Sequence, residues 1–227
     1  MGEEIDLAAL SVAVARALPP LDDPQRRVVL ATYQLISRAI PANPEALAPL
    51  AHMTPAIVAR DLPGLPTASL DRGAVVGFLG LHTTPTTHRI TFPEGSAGTW
   101  CAWDALFLPH LLGLPARVVS TCPVTGEPIV VEVDPADRVV AVSPDEARLS
   151  FLARPAPYAG DIVASSCRWV HFLASPAAAH VWTRDAARDG GEELVALDLD
   201  EGVTIGRRTN LAVFGATTAP TATPTIR

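Results

Sequence analysis

Three segments in the first 61 residues begin alike, with a short polar side chain followed at once by proline. Asp22 or Asp23 precedes Pro24, Asn43 precedes Pro44, and Thr54 precedes Pro55. Proline holds φ near the helical value and lacks an N–H that a helix start would leave unpaired. The polar residue before it accepts from the free N–H groups of the first turn. The pattern predicts helices from Pro24 to about Ile40, over PEALAPLAHM from Pro44, and over PAIVARDL from Pro55. Apolar positions at helical spacing predict an earlier helix over residues 5–18, ended by Pro19 and Pro20. The last two helices, joined by a tight turn, have the form of a helix-turn-helix. AVVGFLGLHTTPTTHRITF (74–92) then reads as a hairpin, two β-rich runs around a Thr/Pro turn. Helices followed by a hairpin predict a winged-helix-like helical domain over residues 1–92.

Charge argues against that domain reading DNA. Residues 1–80 hold six arginines against eight acidic residues, the wrong sign for counterion-driven binding. A packing domain is expected, with no nucleic-acid partner. The whole chain of 227 residues carries a net charge of −7, and all 17 basic residues are arginine. Without lysine there is neither a Schiff base nor a Walker-type phosphate loop. A glycine-rich dinucleotide fingerprint and a G-x-S-x-G elbow are also missing from the sequence. The first twenty residues are acidic where a secretory signal is basic, and no apolar run is long enough to span a bilayer. The expectation is a soluble, cytoplasmic protein with no membrane partner. Its three cysteines, an odd number, are expected as free thiols.

Beyond residue 93 the pattern changes. Residues 101–112 read as a helix interrupted by Pro109. Strands are expected at 116–120, 128–133, 138–143 and 148–153, with TCPVTGEP as the turn between the first two. RWVHFLAS (168–175) reads as a buried strand. PAAAHVWTRDAARDG follows as a helix beginning at Pro176 and stopping before Gly190. EELVALDL is a last short strand, and a terminal helix lies near 200–213. A second domain over 93–214 results, with a low-complexity tail, GATTAPTATPTIR (215–227), expected to be disordered.

The chemistry concentrates in TWCAWDALFLPHLLG (99–113). On a helix, Cys101 and Asp104 would share a face near the N-terminus. Unpaired N–H groups there favour a thiolate, and the carboxylate could take the thiol proton and hand it on. Taken alone, C-x-x-D favours the plainer reading, a buried cysteine beside a capping or solvated aspartate. Cys167 is either a small core residue or a second thiolate facing Cys101, and two thiolates with a carboxylate would make a soft-metal site. Cys122, in a Pro/Gly turn, reads as structural. The six histidines form no H-x-x-x-H or H-x-H pair, and His171 is expected to hydrogen-bond in the core. Trp100, Trp103 and Trp169 are core residues by default and apolar walls if the cysteines form a site.

The three successive segments WCAWDALFLPHLLG, VSTCPVTGEPI and CRWVHFLAS resemble, in order and spacing, the signatures of the organomercurial (alkylmercury) lyases. GFLGLHTTPTTHRITF resembles the segment preceding them. The resemblance covers roughly residues 24–213 and is sharpest over 99–175. It implies an α+β fold: a winged-helix-like N-terminal domain and a catalytic α+β domain with antiparallel or mixed sheet. It also implies protonolysis of a carbon–mercury bond to give a hydrocarbon and Hg(II). Cys101 and Cys167 would bind mercury and Asp104 would move the proton, while Cys122 would be structural. Mercury is then substrate and product. No organic cofactor is expected, external thiols are needed, and cellular thiols or a mercuric reductase would accept the ion. The chain departs from the pattern at Cys167-Arg168, where members often carry two adjacent cysteines, and in AGTWC, where an aromatic hydroxyl often precedes the W-C pair. The competing readings are a non-enzymatic soft-metal thiolate binder, a divergent member acting on another substrate, and a winged-helix regulator. The acidic N-terminal segment opposes the last of these.

Overall fold

A computed structural model describes residues 5–136, 138–189 and 193–215. Four helices open the chain: α1 (Leu7–Ala17), α2 (Asp23–Ile36), α3 (Pro44–Ala51) and α4 (Pro55–Asp61). Asp6, Asp22, Asn43 and Thr54 cap them with side-chain oxygens, as the polar-then-proline pattern predicts for the last three. Asp22 does so reciprocally with Gln25, whose side chain accepts from the Asp22 N–H. α2 stops four residues short of the expected Ile40. Ala39 turns left-handed (φ 56°), and the N–H groups of Ala39 and Ile40 close back onto Ile36 and Leu35. This is a Schellman ending built on alanine, so the usual glycine stop signal is missing.

Eleven strands follow or alternate with four more helices among the described residues. The strands are β1 (Ser69–Asp71), β2 (Ala74–Phe78), β3 (Leu81–His82), β4 (His88–Thr91), β5 (Ser96–Thr99), β6 (Ala116–Thr121), β7 (Pro128–Asp134), β8 (Arg138–Ser143), β9 (Arg148–Leu152), β10 (Phe172–Leu173) and β11 (Leu194–Leu197). The helices are α5 (Asp104–Leu112), α6 (Ile162–Ser165), α7 (Pro176–Asp189) and α8 (Leu199–Phe214). One sheet has the order β1-β2-β3-β5-β4-β6-β7-β8 and the other β10-β9-β11. Every pairing is antiparallel, so the fold is α+β with antiparallel rather than mixed sheet. β4 and β5 pair across residue 92, and one hydrophobic core runs from Leu10 through Phe78 and Leu106 to Ile205.

Three local expectations are corrected. The runs around TTPTT are not hairpin partners: β5 inserts between β3 and β4, with Thr99 opposite both Leu81 and His88. Gly98 permits this, because a Cβ there would lie 2.5 Å from the Thr84 carbonyl oxygen of the overlying loop. The helix expected from 101 begins at Asp104, with Cys101 in the turn before it. RWVHFLAS is not a continuous strand. Cys167–Trp169 form a 3₁₀ turn, and only Phe172–Leu173 pair, with β9. α7 and α8 match the helices expected near 176–189 and 200–213, while Gly190 and residues 216–227 of the tail lie outside the described residues. No helix among the described residues is long and apolar enough to cross a membrane.

Candidate active site

The turn that follows β5 holds Cys101. Thr99 Oγ1 donates to the Cys101 carbonyl at 2.9 Å, and the Cys101 N–H donates to Asp104 Oδ2 at 2.8 Å. The next N–H, of Ala102, donates to Val170 O at 3.1 Å, and Val170 N–H in turn closes onto Cys167 O at 3.2 Å. Two backbone turns far apart in sequence are thereby sewn together, and each presents a thiol to the other. The Cys101 and Cys167 sulfurs and an Asp104 carboxylate oxygen lie within 4.8 Å of one another. All three residues are buried.

The protonation chemistry differs from that expected at a helix start. Cys101 sits outside α5 and its own amide is already bonded to Asp104. Burial, its hydrogen bond with Cys167 and the Asp104 charge push its thiol well above the ordinary range. The resting thiol is therefore protonated, and a soft cation would have to displace that proton. Burial also raises Asp104, to about 6, while hydrogen bonds from the Cys101 side chain and backbone hold it from rising further. Such a carboxyl can take and return a proton near neutral pH.

These groups open into an apolar cavity of about 60 Å³. Trp103, Phe107 and Phe151 form one wall, with Trp103 packed 4.7 Å from the Phe107 ring and tied through Nε1 to Gly202 O at 3.0 Å. Leu18 just after α1, Ile162 from α6 and Val213 from α8 close the others. Trp100 also lines the cavity. Trp169 does not, and packs instead with Leu152, Ala186 and Leu194. Arg168 is exposed, its guanidinium 4.3 Å over the Trp169 ring.

Cys122 stays apart from this group. It is buried at the β6–β7 turn, bridging to Glu127 and Gly126 through its backbone. Burial raises its thiol, but hydrogen bonds from the Thr125 side chain and from the Ala174, Thr125 and Val124 backbone outweigh it and leave the thiol below its ordinary value. Cys122 thus links the turn to the chain just after β10. His171 does reach a partner, with Nε2 3.0 Å from Arg168 O, while its Nδ1 is buried without one among the described residues.

Tyr33, Leu79 and Gly80, which no local residue pattern marks, line the same cavity as Asp104. Tyr33 Oη donates to Leu79 O at 2.7 Å, and a Cβ at Gly80 would fall 2.5 Å from both Cγ and Oδ1 of Asp104. Their signal in the sequence is a Leu-Gly pair between two apolar runs, a poor match to the usual hairpin turns.

A family model described as alkylmercury lyase matches residues 81–210. An alkylmercury lyase of Streptomyces lividans is 36% identical over 153 residues, covering 67% of this chain and 69% of the relative. One of Pseudomonas putida is 40% identical over 128 residues, 56% of this chain and 57% of its own length. Among solved structures, the mercury-bound form of MerB2 superposes with a TM-score of 0.65 at 22% identity, over 89% of this chain and 96% of that one.

Proposed function

This chain belongs to the alkylmercury lyase family, and on that premise we propose that it cleaves the carbon–mercury bond of organomercurials by protonolysis, as part of mercury resistance. The observation that carries the reading is the buried cluster itself: two thiols and a carboxyl of near-neutral pKa within 4.8 Å, opening on an apolar cavity. Two soft sulfurs suit mercury. The apolar walls suit the organic group and keep water from competing for the proton.

The substrate enters as a mercury–thiol adduct, R–Hg–SR′. Cys101 or Cys167 replaces R′S on mercury, and R′S leaves as R′SH with that cysteine's proton. The remaining thiol passes its proton to Asp104 and adds as the second sulfur ligand. Electron density from two thiolates makes the mercury-bound carbon basic. Protonated Asp104 then delivers its proton to that carbon, whose bonding pair leaves mercury, so that R–H departs and Hg(II) stays on two thiolates. Two cysteine protons are consumed, one in R′SH and one in R–H, and Asp104 returns to its carboxylate form. The two thiols, one carboxyl and external thiol suffice for this sequence. Cellular thiols or a mercuric reductase would then take the ion, in a reducing compartment such as the cytoplasm. We read α2–α4 with the β2–β3 hairpin as a winged-helix-like unit whose task is packing against the site.

Incubation of the protein with methylmercury and excess thiol tests the proposal. Methane release in step with Hg(II) formation is expected. Mercury retained without methane would make the protein a binder of soft metals instead.

A further inference from the structure

Leu79 and Gly80 form the two-residue loop between β2 and β3, closed by the Phe78–Leu81 pair. Both have positive φ, 30° and 93°. Such mirror-image turns favour Asn-Gly or Gly-Gly, and a bulky aliphatic residue in this region is an outlier. Outliers of this kind persist where the surroundings hold them in place, and they gather at functional sites. Here the surroundings are explicit. Tyr33 Oη, reaching across 46 residues from α2, donates to Leu79 O at 2.7 Å. The N–H of Trp100, the residue before Cys101, donates to Gly80 O at 3.0 Å. Leu79 is 6% exposed and lines the same cavity as the thiols.

What the turn presses against is the carboxyl of Asp104. The Gly80 Cα approaches so closely that a Cβ would sit 2.5 Å from Cγ and 2.5 Å from Oδ1. The other oxygen, Oδ2, accepts the Cys101 N–H. Asp104 is thus gripped on one side by a backbone amide and on the other by a glycine that leaves no spare volume. Tyr33 is fully suited to its part. Burial, and then the Asp104 charge, raise its hydroxyl well above the ordinary range, so it remains a donor.

We propose that Tyr33 and the Leu79–Gly80 turn act as a positioning clamp that fixes the Asp104 carboxyl for proton transfer, making helix α2 part of the lyase machinery. The inference rests on the lyase reading above. Tyr33 and Gly80 touch neither mercury nor carbon in this scheme. Their loss should therefore slow the proton step and spare the hold of the two thiols on the ion.

The test compares single-turnover methane release from methylmercury with Hg(II) retention, both in excess thiol, for four proteins: unmodified, Tyr33→Phe, Gly80→Ala and Thr32→Val. Tyr33→Phe removes one hydrogen bond and should slow cleavage roughly fivefold to tenfold, with retention within about twofold of normal. Gly80→Ala displaces the carboxyl and should slow it by about 10²-fold, the scale of an ångström's misplacement. Thr32→Val removes a neighbouring buried hydroxyl of α2, bonded within the helix to Val28 O, and should cleave normally. If Gly80→Ala fails to fold, Tyr33→Phe and Thr32→Val decide. The clamp is overturned if Tyr33→Phe cleaves at the normal rate, if its cleavage and retention fall together, or if Thr32→Val is slowed as much. Absence of methane from the unmodified protein would remove the lyase reading and the clamp with it. Normal methane release alongside an unaffected Tyr33→Phe would remove the clamp alone.

Discussion

Asp104 is the residue at which an enzyme and a mercury trap part company. Its carboxyl is buried with a pKa raised to about 6 and lies beside a thiol that must lose a proton to bind metal. Asparagine keeps the shape and can still accept the Cys101 N–H, but it cannot carry a proton. Asp104→Asn is therefore expected to retain Hg(II) while methane release falls at least about 10²–10⁴-fold, the usual worth of a positioned proton donor. Cys101→Ser and Cys167→Ser should lose retention and cleavage alike, since each deletes a soft ligand. Near-normal release by the asparagine variant would dismiss the shuttle. Cys101, Asp104 and Cys167, which the fold brings together, could be named as candidates from the sequence because each stands in a short segment that resembles a family signature. Tyr33 and Gly80 could not. Their importance lies in a contact spanning 46 residues for one and in the absence of a Cβ for the other, and neither is a local pattern.

Helix α8 shows how an element holds the cavity closed. Gly202, Gly206 and Asn210 fall four residues apart and face α5. Gly202 lies against Leu106 and Leu149, Gly206 against Phe107, and Asn210 Nδ2 donates to Phe107 O at 3.2 Å. A Cβ at Gly206 would come within 2.6 Å of Phe107 Cβ, close to backbone that cannot swing aside. Gly206→Ala gains about 1 kcal/mol of helix propensity but loses about 1–3 kcal/mol to overpacking. The expected outcome is a lower urea midpoint at unchanged m-value, and a raised midpoint would show that α8 shifts freely. Cys122→Ser is an element-scale change too. It replaces a thiol that ties the β6–β7 turn to Ala174 and should cost about 1–3 kcal/mol, with cleavage per folded molecule preserved. Complete loss of turnover in folded Cys122→Ser would bring Cys122 into the site. The starts of α2, α3 and α4 were legible because caps and prolines are local. The end of α2, the insertion of β5 and the 3₁₀ turn at Cys167 were not, because long-range pairing and a left-handed alanine decide them.

At the scale of the whole molecule, the two sheets meet at His88. It lies on β4 near the middle of the large sheet, 1% exposed, with Nδ1 2.7 Å from Ser120 Oγ on β6. Its ring faces His171 at 5.6 Å and Phe172 of β10 at 5.8 Å. This is the junction that carries the Cys167 segment against the strands leading to Cys101. Burial, with His171 adding to it, lowers His88 from 6.5 to about 3, and burial lowers His171 in the same direction. The His88 ring stays neutral in the fold but protonates readily once unfolded, and His171 is shifted in the same sense. At these two positions the unfolded chain therefore binds more protons below pH 6.5, and their contribution to stability falls as pH drops from there toward 3, whereas the raised Asp104 carboxyl acts in the opposite sense below about pH 6. The full His88 shift is worth about 4–5 kcal/mol as an upper bound, comparable to much of the stability of a typical domain. His88→Gln keeps a polar partner for Ser120 and removes the titration. Urea midpoints measured from pH 7.5 to 4 should then fall less steeply with acid in His88→Gln than in the unmodified protein, even if the variant starts lower. Parallel slopes would mean that the junction is not where acid acts. A flattened slope would identify the contact between the sheets as a point at which falling pH destabilises the fold.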